Sequence, residues 1–244
     1  MTLRALVLAA SFAATGAARA AERDGCERVI HEGAPYTVCT ADLATHRAAT
    51  YLRGADGRIL GSFEALERVE PRRILFATNG GMYHRDRRPV GLYVEDGRAE
   101  TQLVTRAGTG NFGMLPNGVL CLHDGFAAVV ESRRFADGLT PCRHATQSGP
   151  MLVLGGALHP RFIPNSPSRK RRNGAGVTDD GGTLVLAISD VPVNFHDFAT
   201  LFRDRLGVAD ALFLDGTVSR LHAPALGRSD AGRPMGPIVA VTER

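Results

Sequence analysis

Residues 183–215 read TLVLAISDVPVNFHDFATLFRDRLGVADALFLD and contain the most regular pattern in the chain. Residues 184–188 form a short apolar run typical of a buried strand, and residues 211–214 form a second one. Between them, residues 194–206 repeat apolar side chains at helical spacing, with Asn194 placed to cap a helix and Gly207 to end it. The segment therefore predicts a strand–helix–strand unit of about thirty residues. The apolar positions of the predicted helix are Phe195, Phe198, Ala199, Phe202 and Leu206.

Outside this unit, turn signals alternate with short β-prone runs. Asp-Gly and Gly-Gly pairs between apolar residues are strong hairpin signals. A second, short helix is predicted over residues 63–69, opened by Ser62. We therefore predict an α+β fold with a mixed, largely antiparallel β-sheet and packed helices in a single domain. The predicted hairpin partners are residues 51–53 with 58–60, 91–94 with 99–104, and 119–122 with 126–130, and further strands are expected at 151–154 and 183–188.

The first twenty residues have the three parts of a secretory signal peptide. Arg4 supplies a positive charge, residues 5–14 form an apolar stretch, and Ala18-Arg19-Ala20 supplies the small residues of a cleavage site. We predict cleavage after Ala20, which leaves residues 21–244 as one domain that is periplasmic or secreted. The apolar stretch is shorter than the ~20 residues of a membrane span, so we expect no stable membrane insertion after cleavage.

The charge balance argues against a nucleic-acid partner. The chain of 244 residues has a formal net charge of +4, and loss of Arg4 and Arg19 with the signal lowers it by two. Nucleic-acid-binding domains are typically far more basic. The basic cluster Arg169-Lys170-Arg171-Arg172 is flanked by loop-forming residues, and it is either a solvated loop or an anion site. With 44% hydrophobic and 22% charged residues, the composition is that of an ordinary globular protein.

Four cysteines follow the predicted cleavage site, namely Cys26, Cys39, Cys121 and Cys142. In an oxidising compartment they are expected to form two disulfides, for which three pairings exist. Short loops close at the lowest entropic cost, which favours Cys26–Cys39 and Cys121–Cys142. The absence of a Cys-x-x-Cys spacing argues against a zinc cluster or a thioredoxin-like redox site.

Two segments place uncharged polar groups beside a predicted buried strand. Residues 74–83 read ILFATNGGMY, and the glycines after Asn79 either let the backbone approach a ligand or form a plain hairpin turn. Residues 144–150 read HATQSGP, in which Gln147 and Ser148 offer hydrogen-bonding groups suited to sugar hydroxyls. The Ser-Gly pair lacks the Gly-x-Ser-x-Gly frame of a serine hydrolase, so we discount that chemistry.

Two further segments offer charged groups. Arg172-Asn173-Gly174 closes the basic cluster, and its guanidinium suits either bidentate phosphate binding or the holding of loop carbonyls. Asp215 ends one apolar strand and Asp190 follows the other, where a buried carboxylate is costly unless it is paired or used. If the two strands are parallel neighbours, both carboxylates emerge at one edge of the sheet, as glycoside hydrolysis requires. Otherwise each aspartate begins an ordinary turn.

Seven short motifs occur in series along the chain: Asn79-Gly80-Gly81-Met82, Pro89-Val90-Gly91-Leu92-Tyr93, Asn111-Phe112-Gly113, Pro116-Asn117-Gly118, Gln147-Ser148-Gly149-Pro150, Arg172-Asn173-Gly174 and Leu214-Asp215-Gly216. Together they resemble the phosphodiester glycosidase family, the family of N-acetylglucosamine-1-phosphodiester alpha-N-acetylglucosaminidase, and especially its bacterial exported branch. The resemblance extends from about Cys39 to Ser219. It implies a single α+β catalytic domain that hydrolyses a sugar-1-phosphodiester, in bacteria often linked to polysaccharide or envelope material. The chain departs at Thr217, where many members carry glycine.

The reaction that the resemblance implies needs a carboxylate near the anomeric carbon and a cation near the departing phosphate. We expect Asp215 to stabilise or attack the oxocarbenium-like centre, Asp190 to supply a second carboxylate, and Arg172 to hold the phosphate. His144 or His84 could protonate the leaving group, because histidine titrates near neutral pH. The residues expected to bind substrate are Asn79, Gly80, Gly81, Gln147, Ser148, Arg172, Asn173, Gly216 and Ser219.

Two other functions stay open at this point. A non-catalytic envelope protein could bind polysaccharide on the same fold, although a chain with no Trp and 4 Tyr offers few stacking surfaces. A metal-dependent phosphodiesterase would need clustered ligands, for which His84, Asp86 and His222 are scattered candidates. The sequence predicts no cofactor and predicts a sugar phosphodiester or polysaccharide as the partner. It leaves a metal ion, the sugar, the stereochemical outcome and the oligomeric state open.

Overall fold

The structure is a computed structural model that describes residues 25–138 and 141–244. The predicted signal peptide, residues 1–20, lies outside the described residues. The helices are α1 (Phe63–Val69), α2 (Ser132–Ala136) and α3 (Phe195–Thr200), with a π-helical turn at Leu201–Arg205 and a 3-10 turn at Pro224–Leu226. The strands are β1 (Gly25–His31), β2 (Ala34–Asp42), β3 (His46–Tyr51), β4 (Ile74–Asn79), β5 (Tyr93–Glu95), β6 (Arg98–Thr101), β7 (Gly118–Leu122), β8 (Ala127–Glu131), β9 (His144–Ser148), β10 (Met151–Leu154), β11 (Ala157–Leu158), β12 (Asn173–Val177), β13 (Thr183–Ser189), β14 (Asp210–Asp215), β15 (Leu221–Ala223), β16 (Arg228–Ser229) and β17 (Ile238–Glu243).

These strands form three antiparallel sheets. Their orders are β1-β2-β13-β12-β14-β10-β11, β16-β15-β4-β17-β3 and β6-β5-β9-β7-β8. Every strand pair within the described residues is antiparallel, so the expectation of a mixed sheet is wrong and that of antiparallel pairing is confirmed. Hairpin turns can join antiparallel strands directly, which explains why helices are few and short.

The predicted strand–helix–strand unit is present, but its two strands are not neighbours. β13 and β14 run in the same direction, while β12 lies between them and is antiparallel to both. Both faces of β13 are buried because successive side chains point to opposite sides. Leu184 and Leu186 face a core shared by the sheets, whereas Val185 packs on the side covered by α3. The continuous apolar run in the sequence reflects this double burial.

The helix over residues 194–206 forms as predicted. Asn194 caps it by accepting a hydrogen bond from the Asp197 amide at 2.9 Å, and Gly207 follows with φ of 66°. The helix packs directly over β12, where side chains would obstruct it. A Cβ atom at Gly176 would lie 2.8 Å from a Val208 methyl carbon and 3.0 Å from the Phe202 ring. The glycine of β12 therefore lets the helix approach the sheet closely.

Local signals elsewhere were confirmed in part, since the expected hairpin of residues 51–53 with 58–60 is reduced to a single bridge between Arg53 and Ile59. Ser62 caps α1 by accepting a hydrogen bond from the Ala65 amide at 3.1 Å, and the hairpins β5–β6 and β7–β8 form around the predicted turns. Both expected disulfides, Cys26–Cys39 and Cys121–Cys142, are present and confirm the proximity argument. Among the described residues, no helix has the length and apolarity that a membrane span requires.

Candidate active site

The predicted site segments meet where β4 and β14 end and β12 begins. Asn173 lies opposite Asp215 in the pairing of β12 with β14, and its side-chain oxygen accepts a hydrogen bond from the Asp215 amide at 3.1 Å. The Asn173 amide group donates to the Asn79 carbonyl at 3.0 Å and to the Thr78 hydroxyl at 2.8 Å. Asn79 in turn accepts a hydrogen bond from the Arg220 amide at 2.9 Å. Two fully buried asparagines thus fix the backbone of one carboxylate residue and one arginine.

Asp215 follows the apolar part of β14 and has 8% of its surface exposed. Its Oδ1 atom accepts hydrogen bonds from the Thr217 amide at 2.5 Å and the Val218 amide at 3.2 Å. These two bonds fix the carboxylate in an Asx turn. Ser219 closes the turn by donating its hydroxyl to the Asp215 carbonyl at 2.8 Å. The other oxygen, Oδ2, makes no hydrogen bond to any residue that the structure describes, so one side of the carboxylate is uncommitted.

Ser148 supports the same strand from the side. Its hydroxyl donates to the Leu214 carbonyl at 2.9 Å, so the last residue of β9 is joined to the residue before Asp215. Of the predicted substrate-binding residues, Ser148, Asn79 and Asn173 therefore do lie beside Asp215. All three are fully buried and hold the strand ends in place. The structure gives them a positioning role.

A pocket of about 480 Å³ opens next to the Asp215 turn. This volume is within the range of small-molecule sites. Three arginines, Arg171, Arg220 and Arg233, lie in its wall, together with one carboxylate, Asp230. Sequence reasoning missed Arg220 and Arg233, which belong to no motif. The remaining lining residues are Gly216, Thr217, Val218, Ser219, Ala231 and Gly232.

Arg172 is buried beneath this turn and does not line the pocket. Its guanidinium carbon stacks 3.6 Å from the centre of the Phe195 ring, and it donates to the carbonyls of Val193 and Ser168, both at 3.0 Å. The Nη1 atom is buried without a hydrogen-bond partner and points toward Gly216, where a Cβ atom would lie 3.5 Å away. Burial lowers the pKa of Arg172 to about 10, so the group stays charged at neutral pH.

Asp190 is separated from the pocket and does not supply a second carboxylate there. It follows β13, and β12 lies between β13 and the strand of Asp215. Its carboxylate accepts hydrogen bonds from the Thr37 hydroxyl at 3.0 Å and from Arg228 at 2.6 Å. Arg228 also forms a bidentate ion pair with Asp230 in the pocket wall, donating from Nε at 3.0 Å and from Nη2 at 2.9 Å. Asp190 therefore anchors Arg228, and the expectation of a reacting role is corrected.

Gln147 is buried on the face of β9 opposite to Ser148. Its side-chain oxygen accepts hydrogen bonds from the amides of Leu92 and Val104, both at 3.0 Å. Its nitrogen donates to the Val104 carbonyl at 2.6 Å and to the Ser132 hydroxyl at 2.8 Å. All four hydrogen-bonding positions of the amide are therefore used within the protein. Gln147 holds neighbouring chain segments and leaves nothing free for a sugar hydroxyl.

The amides of Gly80 and Gly81 are likewise occupied. Gly80 donates to the Pro237 carbonyl at 2.7 Å, and Gly81 donates to the Thr146 hydroxyl at 3.0 Å. A Cβ atom at Gly81 would lie 2.2 Å from the Gln147 carbonyl oxygen. The two glycines serve close packing of β4 against its neighbours, and the expected amide contacts with a ligand are not available.

The two predicted histidines lie outside the pocket lining. His144 begins β9, ~13 Å along the strand from Ser148 at a rise of roughly 3.3 Å per residue. The ring is buried, with Nδ1 at 3.2 Å from the Thr50 hydroxyl oxygen and Nε2 at 3.3 Å from a guanidinium nitrogen of Arg47. Burial lowers the pKa of His144 to about 4. His84 is exposed on the turn after β4, where its amide donates to the Arg88 carbonyl at 2.9 Å. Neither histidine is brought to Asp215 by the contacts that define the site.

Tyr83 is a further residue near the carboxylate that sequence reasoning did not select. Burial raises the pKa of Tyr83 to about 12, and the negative charge of Asp215 acts in the same direction. The positive charge of Arg220 opposes the shift. The phenol is thus protonated at neutral pH and lies within electrostatic range of both groups. Its place in the quoted ILFATNGGMY segment was the available signal.

The possible metal ligands proposed from the sequence, His84, Asp86 and His222, do not lie close enough together to bind one ion. Among the described residues, one group of three potential ligands is close together, formed by Cys121, His123 and Cys142. The two cysteines form a disulfide, so their sulfurs are bonded to each other. His84, Asp86 and His222 form no such group within the same residues.

Comparisons with known proteins agree with the resemblance drawn from the motifs. The sequence model of the phosphodiester glycosidase family matches residues 72–241. The uncharacterized protein YigE of Escherichia coli is 35% identical over 185 residues, covering 75% of this chain and 72% of that protein. The zebrafish N-acetylglucosamine-1-phosphodiester alpha-N-acetylglucosaminidase catalytic domain, auto-inhibited by its pro-peptide, shares the fold with a TM-score of 0.58 and 15% identity, covering 90% of this chain and 82% of that one. With most of its length matched, the chain belongs to the phosphodiester glycosidase family, whose members are hydrolases acting on glycosyl phosphodiesters.

Proposed function

We propose that the protein hydrolyses a sugar-1-phosphodiester at the bond between the anomeric carbon and the phosphate oxygen. One observation carries the proposal: Asp215 is hydrogen-bonded to the turn of residues 216–219, and this turn lines a pocket whose wall also contains Arg171, Arg220 and Arg233. A carboxylate can stabilise a developing oxocarbenium centre, and guanidinium groups complement phosphate oxygens. The two requirements of the reaction are therefore met by neighbouring groups.

The reaction follows from these positions. The sugar lies with its anomeric carbon toward the uncommitted Oδ2 of Asp215, and the phosphate lies toward Arg220. As the carbon–oxygen bond breaks, its electron pair leaves with the phosphate, and Asp215 stabilises or attacks the electron-poor carbon. Water supplies the oxygen that completes the sugar hydroxyl, and its proton goes to the released phosphomonoester or to solvent. Because phosphate departs as an anion, no strong acid from the protein is needed.

Three buried residues, Arg172, Asn173 and Asn79, stabilise the positions of Asp215 and Arg220. The buried charge of Arg172, beside Gly216, adds a positive potential under the turn that carries Asp215. Asn173 and Asn79 hold the backbones of Asp215 and Arg220, whose spacing decides whether carboxylate and cation reach one substrate. These three residues are positioning groups.

We further propose that the protein is exported and acts on envelope or extracellular polysaccharide material. The N-terminal pattern of residues 1–20 and the two disulfides support export. Cell fractionation with a mature N-terminus determined by mass spectrometry tests it. Recovery of the uncleaved chain in the cytoplasm would contradict it.

Asp215→Asn is the direct test of the chemistry. An amide oxygen can still accept the hydrogen bonds from Thr217 and Val218, so the fold is retained while the negative charge is lost. We expect turnover of a sugar-1-phosphodiester panel to fall by at least ~10²–10³-fold. Asp56→Asn is the matched control, because Asp56 also accepts an amide hydrogen bond in a turn, from Arg58 at 3.0 Å, and lies outside the pocket. Turnover of a folded Asp215→Asn protein at the control rate would remove Asp215 from the mechanism.

Hydrolysis in oxygen-18 water identifies the bond that breaks. Carbon–oxygen cleavage places the label in the released sugar. Label in the phosphate would show phosphorus–oxygen cleavage and would overturn the proposal in favour of a phosphodiesterase.

A further inference from the structure

The pocket beside Asp215 contains more positive charge than the proposed reaction requires. Arg171, Arg220 and Arg233 line it, and none of the three forms an ion pair with any residue that the structure describes. Arg220 donates instead to the Arg233 carbonyl, and Arg171 donates to the Asp190 carbonyl at 3.0 Å. Both acceptors are neutral, so neither hydrogen bond offsets the charge of a guanidinium group.

The acidic residue in the pocket wall does not balance them. Asp230 is held by Arg228 through Nε at 3.0 Å and Nη2 at 2.9 Å, and it also accepts the Leu221 amide at 3.0 Å. Arg228 is a fourth arginine that does not line the pocket, and it is shared between Asp230 and Asp190, so these three groups together carry one net negative charge. The electrostatic effect of Asp230 on the three lining arginines is correspondingly reduced.

Counting charges then sets a requirement on the ligand. Asp215 contributes one negative charge beside the pocket, and a phosphodiester contributes one more. Arg171, Arg220 and Arg233 together with the buried Arg172 carry four positive charges, and the group of Arg228, Asp190 and Asp230 adds one net negative charge. One positive charge is therefore left when a substrate with a single phosphate is bound. Arg220 is 6% exposed, and burial lowers its pKa while the negative charge of Asp230 opposes the shift. Unpaired charge in such a place is costly unless an anion binds.

We propose, building on the proposed function, that the preferred substrate carries a second phosphate in its aglycone. Arg220 lies next to the Asp215 turn and would hold the scissile phosphodiester, while Arg233 and Arg171 on the outer wall bind the second phosphate. The outer pair is exposed, as is needed if the remainder of the aglycone extends into solvent. A chain of sugars or polyols joined by phosphodiesters has this chemistry, and so has a small bisphosphorylated alcohol.

The test compares two aglycones on one sugar. The first substrate is the glycosyl 1-phosphodiester of glycerol, and the second is the same compound with an additional phosphate on the glycerol. Both are made with α-glucosyl, α-galactosyl, α-mannosyl and N-acetyl-α-glucosaminyl groups. We expect kcat/KM to be at least ~10-fold higher with the second phosphate, mainly through KM, and the preference to shrink at high salt.

Variants of the pocket test whether its arginines cause the preference for the substrate with the second phosphate. Arg233→Gln is expected to reduce the ratio of the two kcat/KM values toward one. Arg58→Gln, which changes an arginine whose side chain is 89% exposed and lies outside the pocket, is expected to keep the ratio. A longer substrate with several phosphodiester links distinguishes a polymer from a small bisphosphate, because only a polymer-directed site gains further affinity.

The outcomes separate the two proposals. Turnover of both glycerol substrates with equal kcat/KM, or a preference that Arg233→Gln leaves intact, would overturn this inference and leave the proposed hydrolysis standing. Failure to hydrolyse any sugar-1-phosphodiester would overturn the proposed function and this inference with it.

Discussion

Replacing Asn173 by alanine tests whether the buried asparagine network sets the position of the reacting carboxylate. Asn173 is fully buried, and three of its four side-chain hydrogen bonds are short: to Thr78 at 2.8 Å, to the Asn79 carbonyl at 3.0 Å and from the Asp215 amide at 3.1 Å; the fourth, from the Asn79 side-chain amide, is 3.4 Å. Each is worth about 1 kcal/mol, and buried groups that lose a partner add a desolvation penalty. We therefore expect Asn173→Ala to lower the free energy of unfolding by about 3–5 kcal/mol. Typical domains are stable by only about 5–15 kcal/mol, so the effect is readily measured by urea unfolding.

The same change should affect catalysis through the Asp215 backbone. Without its acceptor, the amide of Asp215 is no longer tied to β12, and a displacement of about 1 Å at a reacting group can cost ~10²-fold in rate. We expect kcat to fall by roughly 10–10²-fold, with the Asp215 amide exchanging its hydrogen faster. Ser62→Ala is the control, because it removes the cap of α1 and costs about 1 kcal/mol of stability while leaving every hydrogen bond of Asn173 and Asp215 in place. Its kinetics should match the parent protein.

Two results would refute the reasoning. An unchanged urea midpoint would show that the three hydrogen bonds contribute nothing net. A destabilised Asn173→Ala protein with unchanged kcat and unchanged protection of the Asp215 amide would show that the carboxylate is positioned by its own turn alone.

Two further predictions concern buried ionisable groups. Burial lowers the pKa of Arg172 to about 10, a desolvation cost of about 3 kcal/mol, so Arg172→Met should retain more stability than Arg172→Lys, which keeps a charge but loses the planar fork. Thermal unfolding of the two variants checks this order, and a more stable lysine variant would contradict it. Burial lowers the pKa of His144 to about 4, below its unfolded value of 6.5, so its contribution to stability is present above pH 6.5 and is lost as pH falls toward 4. His144→Gln should flatten the stability curve between pH 6.5 and 4 by up to about 3 kcal/mol, and a curve of unchanged slope would show that the native histidine binds its proton normally.

Local patterns predicted the elements that are bounded by clear caps and turns, whereas strands β1, β2, β9, β12, β15, β16 and β17 and helix α2 were not predicted. The cap of α1 at Ser62 and the Asp-Gly turn between β5 and β6 depend on a few adjacent residues, whose chemistry can be read directly. The sheet order could not be predicted in the same way. The strand β12 is rich in glycine and has little β propensity, yet it lies between the two apolar strands because only small residues admit α3 above it.

The sequence predicted that Asn79, Asn173 and Asp215 lie close together, but it did not predict which arginines lie around them. Asn79 and Asp215 end the apolar strands β4 and β14, which the sequence shows, whereas Asn173 begins β12, a strand that was not predicted. Arg220 could not be found, since its place next to Asn79 results from a hydrogen bond between residues 141 positions apart. Such a contact exists only after the sheets have formed.

Strand geometry explains why one polar pair was misassigned and what it does instead. Gln147 and Ser148 are consecutive residues of β9, and consecutive side chains of a strand point to opposite faces, so both could not face one pocket. Ser148 faces β14, where it holds the Leu214 carbonyl, and Gln147 faces the chain segments around Leu92 and Val104. The uncharged polar residues of the motifs thus satisfy buried backbone groups, which would otherwise be costly. Within the described residues, the Oδ2 atom of Asp215 makes no hydrogen bond and the arginines of the pocket form no ion pair, and the proposed function assigns substrate recognition to these groups.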